Sequence, residues 1–176
     1  MLMAWYFAYG SNMQTATLNG RRGIATRRAL AARAPGWRLV LDKPPLVAIG
    51  ESYANIVPDV QAEVLGVLYE IAGDDLAHLD LTEGVLIGNY QRVEIAVSPL
   101  ARSNADSVNA FTLVSDRRDA TLQPSTRYMD LLIAGAEEHG LPADYVAFLR
   151  AIPARPPSQE AEQFRALLDG FLRRPS

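Results

Sequence analysis

From Tyr90 to Val97 the chain reads Tyr-Gln-Arg-Val-Glu-Ile-Ala-Val. Polar and apolar residues alternate there at period two, as in a half-buried strand. Glu63 to Ile71 differs: Val64, Leu65, Val67, Leu68, Tyr69 and Ile71 form a nearly unbroken apolar run of strand formers. That pattern predicts a strand covered on both faces. Trp5 to Tyr9 and Asn109 to Val114 predict two further strands. Arg28–Arg33 and Trp37–Leu41 predict a strand pair, because Pro35-Gly36 between them is a turn signal. Tyr53–Val57 predicts a strand ending at the Pro58-Asp59 turn.

Helical periodicity is sparse in this part and dominant afterwards. Asn12 to Asn19 predicts a short helix after the first strand. Asp74 to about Thr82 predicts another, with Asp74 as N-cap and Gly84 just past its end. From Ser125 to Glu138 the residues Tyr128, Leu131, Leu132, Gly135 and Ala136 share one face, and Gly140 is the stop. Pro142 opens a second helix with Tyr145, Phe148 and Leu149 turned inward. Past the spacer Ile152–Pro157, Ser158 caps a third with the stripe Phe164, Leu167, Leu168 and Phe171. Strands first and helices last predict an α+β fold. No repeat or linker divides the chain, so one domain over 1–176 is expected, helical from about 125.

Composition narrows the chemistry. The chain has no cysteine, which excludes disulfides, thiolate metal sites and a Cys nucleophile within it. It fits a cytoplasmic location. His78 and His139 are the two histidines, too few for a multi-histidine metal site, and both are expected at the surface. No apolar run approaches the ~18 residues of a spanning helix. The apolar opening Met1–Ala8 lacks a basic lead and reads as a strand rather than a signal peptide. Six arginines and no acid occupy the first 41 residues, and the rest carries 11 basic and 20 acidic groups. No stacking aromatics interleave these arginines, so pairing with distant acids is expected rather than nucleic-acid binding. Sixteen of the 17 basic residues are Arg.

Two segments carry candidate chemistry. Tyr9-Gly10-Ser11-Asn12 falls at a predicted strand-to-helix junction. Successive N–H groups at such a start cradle a carboxylate, a phosphate or a forming oxyanion. The same residues also make an ordinary turn. The second segment is Leu79-Asp80-Leu81-Thr82-Glu83-Gly84-Val85. Glu83 is expected just past a helix C-terminus, whose negative pole raises a carboxyl pKa toward what a general base needs. A solvated loop carboxylate is the plain alternative. Asp80 is a candidate partner for an Arg. Ser11 has no evident His partner, which argues against a Ser-His-Asp hydrolase.

Taken in order, the segments resemble the γ-glutamylcyclotransferase-like family. Tyr6–Met13 is similar to its signature loop, Ala54–Pro58 and Val64–Ile71 to its central strands, and Leu79–Val85 with Tyr90 to its catalytic-glutamate segment. Pro124–Tyr128 and Gly140–Tyr145 are similar to its helical part. The resemblance runs from residue 5 to about 152. It implies a small mixed β-barrel with surrounding helices, no cofactor, no metal and a homodimer. It implies release of 5-oxoproline from γ-glutamyl compounds, with Glu83 as base and acid. Tyr9, Gly10, Ser11 and Asn12 would bind the substrate carboxylate or the oxyanion, and Tyr128 would line the pocket. The expected partner is a small γ-glutamyl substrate, with neither nucleic acid nor membrane.

Such chemistry suits the residues. The α-amine attacks its own γ-carbonyl, so the enzyme mainly holds a folded near-attack conformer. The amine must be neutral, and one carboxyl can remove its proton and return a proton to the leaving nitrogen. The motif ends in Ser11-Asn12, where γ-glutamylamine- and glutathione-directed relatives carry Thr-Leu or Ser-Leu. That favours γ-glutamyl amino acids or peptides. The loop Lys43–Val47 would shape the leaving-group side. Alternatives are a non-catalytic small-molecule-binding module on the same fold, a γ-glutamyl amide hydrolase, and a deprotection enzyme of natural-product synthesis.

Overall fold

The computed structural model describes residues 2–101 and 107–172, without the side chains of 168–172. Five strands close into a barrel in the order β1-β3-β2-β4-β5, where β1 is Met3–Ala8, β2 Thr26–Lys43, β3 Tyr53–Ala72, β4 Gln91–Pro99 and β5 Val108–Val114. Every pairing is antiparallel except the closing one, where Tyr6 of β1 meets Phe111 of β5 in parallel. The barrel is therefore mixed, as the family resemblance implies.

The apolar run in β3 is buried continuously from Val64 to Tyr69. One face looks into the barrel and the other is covered by helices, chiefly α1 (Gly73–Glu83) and α2 (Thr126–Glu138). β4 alternates as its sequence does, with Ile95 and Val97 buried.

The two expected turns do not divide their strands. β2 runs straight through Pro35-Gly36 and β3 through Pro58-Asp59. Pro35 pairs with Glu63 and Trp37 with Pro58, so residues 59–62 bulge out opposite Gly36 alone. Gly36 adopts φ +80°, and the Asp59 carboxylate accepts the Gln61 N–H at 3.1 Å. The turn chemistry is used, but to bend a long ribbon rather than to end it.

Other expectations shift as well. The helix expected over Asn12–Asn19 is a 3₁₀ turn, Ser11–Met13, followed by a π-helical segment, Ala16–Arg21. α1 starts after Ala72, so Asp74 lies in its first turn rather than at the cap, where it still meets the positive pole. It runs on to include Glu83. The cap of α4 (Gln159–Leu172) is as expected, Ser158 Oγ accepting from Ala161 N at 3.1 Å, and α2 is capped in the same way by Ser125, whose Oγ accepts from Tyr128 N at 3.3 Å. In α3 (Ala143–Ala151) Leu149 is buried, but Phe148 is 48% exposed rather than inward. In α4 the inward face is Ala161, Phe164 and Arg165, while Leu167 is 64% exposed; the side chains of Leu168 and Phe171 lie outside the described residues. His139 is not a free surface residue. Its Nε2 lies 2.9 Å from the Tyr69 hydroxyl and 3.2 Å from Thr15 Oγ1.

Close approach of α2 to the turn after β1 sets the site. A Cβ on Gly135 would stand 2.6 Å from Gln14 N and 2.7 Å from Met13, so only glycine lets the helix lie there. Tyr69, near the C-terminal end of β3, donates to Met13 O at 2.6 Å and pins the same turn.

Candidate active site

β1 ends at Ala8 and the chain turns at once, with Met13 N donating to Gly10 O at 2.9 Å. That turn carries Asn12 under the barrel rim, where it is buried. Its Nδ2 donates to the Tyr6 hydroxyl at 3.1 Å and to Glu83 Oε1 at 2.9 Å. Glu83 is the last residue of α1. Gly84 follows in the left-handed conformation, φ 71°, ψ 35°, which glycine adopts without a Cβ penalty. Asn89 fastens the turn, donating from Nδ2 to Glu83 O at 2.9 Å and from its backbone to Gly84 O at 3.0 Å.

The Glu83 carboxylate is buried, 9% exposed, and does not stand in a solvated loop. Arg22 Nε lies 3.1 Å from Oε1, and its Nη1 donates to Thr82 O at 3.2 Å. His78 in turn donates from Nε2 to Arg22 O at 2.8 Å. The negative pole of the helix is therefore joined by a guanidinium, a partner the sequence reading did not name. Other members of the arginine-rich start also find acids: Arg38 meets Asp59 at 3.1 Å and Arg33 meets Glu63 at 4.0 Å. Asp80 pairs with Arg92 at 2.8 Å.

Tyrosine hydroxyls complete the surroundings. Tyr90 donates to Ala54 O at 3.1 Å, and Tyr128 accepts from Ala54 N at 3.1 Å, so both backbone groups of one β3 residue are held. Tyr9 donates to Leu113 O. Burial, with the Glu83 charge adding to it, raises the hydroxyls of Tyr6, Tyr9, Tyr90 and Tyr128 above the ordinary phenol value. They stay neutral at physiological pH and serve as hydrogen-bonding groups.

Tyr9, Gly10, Ser11, Asn12, Glu83 and Tyr128 all line one recess of about 40 Å³. The six residues singled out from the sequence thus converge. The recess opens into a larger chamber of about 350 Å³, and Ser11, Glu83, Tyr90 and Tyr128 border both. The loop after Lys43 walls the chamber through Pro45, Leu46 and Val47, and α4 adds Phe164 and Arg165. Arg165 is anchored there by Glu51, 2.7 Å from its Nη1. Among the described residues, no three His, Asp or Glu side chains gather as a metal-binding group.

Known proteins resemble the chain in sequence and in fold. An AIG2-like family model matches residues 63–149. The mouse γ-glutamylcyclotransferase is 31% identical over 84% of this chain and 77% of its own. The chain belongs to the γ-glutamylcyclotransferase family. It is an enzyme of that type. The γ-glutamyl cyclotransferase aclK of Aspergillus oryzae is 29% identical over 94% of this chain and 68% of its own. A solved γ-glutamyl cyclotransferase superposes with a TM-score of 0.77 at 25% identity, covering 94% of this chain and 99% of the other.

The matched stretch of the family model takes in Glu83, Tyr90 and Tyr128 but not the turn at Gly10–Asn12. In this cyclotransferase fold that turn reaches the glutamate through Asn12. Sequence reasoning missed Arg22 and Asn89, and took Lys43 only as the start of the loop expected on the leaving-group side. Arg22 was one of six similar arginines, with nothing local to distinguish it. Lys43 did carry a signal, as the one lysine among 16 arginines.

Proposed function

We propose that the chain releases 5-oxoproline from γ-glutamyl amino acids or peptides by intramolecular aminolysis. The observation that carries this is the position of Glu83. Its carboxylate stands where the small polar recess meets the larger chamber. A glutamyl group held with its γ-carbonyl at the mouth of the recess would bring its α-amine to this carboxylate, with the departing amine in the chamber.

Arg22 and Asn12 both contact Oε1, so Oε2 is the oxygen assigned to the substrate. It takes a proton as the α-amine attacks the γ-carbonyl, and the carboxyl then gives a proton to the leaving nitrogen. The C–N bond to the leaving group breaks as the lactam C–N bond forms, and no covalent enzyme intermediate is needed. Neutral tyrosine hydroxyls and the Gly10–Asn12 backbone are the polar groups available for the carboxylate or the oxyanion. A donor aimed at an oxyanion contributes about 3 kcal/mol. Holding the chain folded supplies much of the rest.

Mass spectrometry of products from γ-glutamyl amino acids, glutathione and γ-glutamylamines tests the reading. 5-Oxoproline together with the free amine is the expected result. Free glutamate instead would identify a hydrolase, and binding with no product would identify a binding module.

A further inference from the structure

Lys43 ends β2 and is 1% exposed. Its ammonium donates to Asn89 Oδ1, and Nζ stands 4.4 Å from the centre of the Tyr90 ring. Arg117 reaches the same Asn89 oxygen at 3.3 Å and donates to Pro45 O at 3.1 Å. Two cations therefore converge on one amide oxygen. Among the described residues neither forms an ion pair. A buried cation without a counter-charge is costly unless something else compensates it. Burial first, and Arg117 second, pull this ammonium down to about 8, against a smaller upward pull from Glu83.

Its place in the cavity says what the compensating group would be. Lys43 borders the larger chamber and not the recess. Among the described residues, five cationic side chains line that chamber and Glu83 is the one acid. An ammonium has three donors, and Asn89 takes one. With the glutamyl end at the recess, a substrate anion that reaches Lys43 belongs to the departing half.

We propose that Lys43 is a specificity-determining residue that binds a carboxylate on the departing amine, so that γ-glutamyl amino acids are preferred over γ-glutamylamines lacking that group. This rests on the cyclotransferase reading above. A charge-assisted hydrogen bond of this kind corresponds to a preference of roughly 10-fold or more.

The test compares γ-glutamyl-alanine with γ-glutamyl-ethylamine, which differ by that one carboxylate. Steady-state kinetics are read on wild type, Lys43→Met and Lys43→Arg. Calorimetric binding is read on Glu83→Gln and on Glu83→Gln combined with Lys43→Met. The expected result is a wild-type preference for the alanine compound that falls at least ~10-fold in Lys43→Met, chiefly through KM, and is partly restored by Lys43→Arg. If Lys43→Met does not fold, the wild type alone decides. Its KM for the alanine compound should rise relative to the ethylamine compound as pH passes about 8, and a constant ratio overturns the proposal. Equal losses on both substrates, or a preference that survives Lys43→Met, also overturn it while leaving the reaction intact. Lys43-dependent binding of the carboxylate without 5-oxoproline from the wild type removes the reaction and keeps the role of Lys43. Neither binding nor turnover overturns both.

Discussion

Asn12 Nδ2 donates to Glu83 Oε1 across 2.9 Å, joining two residues 71 positions apart in the chain. The contact ties the turn after β1 to the last residue of α1. Asn12→Ala should release both Glu83 and Tyr6. A lost hydrogen bond to a buried charged group costs about 1.5–3 kcal/mol. Urea unfolding should show that loss, and kcat should fall at least ~10-fold because the carboxyl is no longer held. An unchanged kcat would contradict this positioning role.

Gly84 makes the second test. Its left-handed conformation costs an L side chain about 1–2 kcal/mol. A Cβ there would also stand 3.0 Å from Asn89 Cβ. Gly84→Ala should lower stability by at least that strain and disturb the Asn89 hydrogen bond to Glu83 O. Equilibrium unfolding and kcat measured together check it. A variant as stable and active as wild type would show the end of α1 to be more yielding than its packing implies.

Tyr128→Phe removes the acceptor of the Ala54 N–H. That backbone group is buried, so leaving it unpaired should cost about 1–3 kcal/mol. Hydrogen exchange at the Ala54 amide should quicken more than at amides on the far side of the barrel. Unaltered protection at Ala54 would mean the hydroxyl contributes nothing to holding β3.

Lys43 predicts a pH dependence of stability. Its ammonium titrates at about 8 in the folded chain against an ordinary value of 10.5. Between those values the unfolded chain binds more protons, so stability rises with pH across that window. The penalty is fully present below it. Lys43→Met removes the penalty but also the hydrogen bond to Asn89, and should stabilise the protein at pH 7 by about 1–2 kcal/mol. The advantage should shrink toward pH 10.5. Urea midpoints at pH 7 and pH 10 decide it, and a gap that is equal at both contradicts the titration of Lys43.

Elements whose pattern depends on one neighbour were legible in the sequence. The buried run Val64–Tyr69, the alternation in β4 and the Ser158 cap are local signals, and each appears where its chemistry placed it. Pro35-Gly36 and Pro58-Asp59 misled because a turn dipeptide does not state whether the chain reverses or bulges. Their cross-strand pairing decides that, and it joins residues more than 20 apart. Phe148 and Leu167 misled because an apolar stripe tells which face is apolar, not how far the barrel surface extends beneath it.

Within the site, the residues of the two motifs were readable because their spacing carries the turn and the helix end. Arg22 and Lys43 were not, since their partners Glu83 and Asn89 are 61 and 46 positions away and only the fold brings them near; Asn89 acts on a near neighbour, Glu83, but an Asn after a glycine turn does not show which backbone group it holds. His139 shows the same limit: its contacts with Tyr69 and Thr15 cross 70 and 124 positions.

The central claim is that the Glu83 carboxyl moves the proton in lactam closure. The most direct measurement is 5-oxoproline release by Glu83→Gln, at saturating γ-glutamyl substrate, with folding checked by circular dichroism. The account predicts native spectra, retained binding of the γ-glutamyl substrate and a loss in kcat of at least ~100-fold. A folded Glu83→Gln protein that releases 5-oxoproline at the wild-type rate would contradict it.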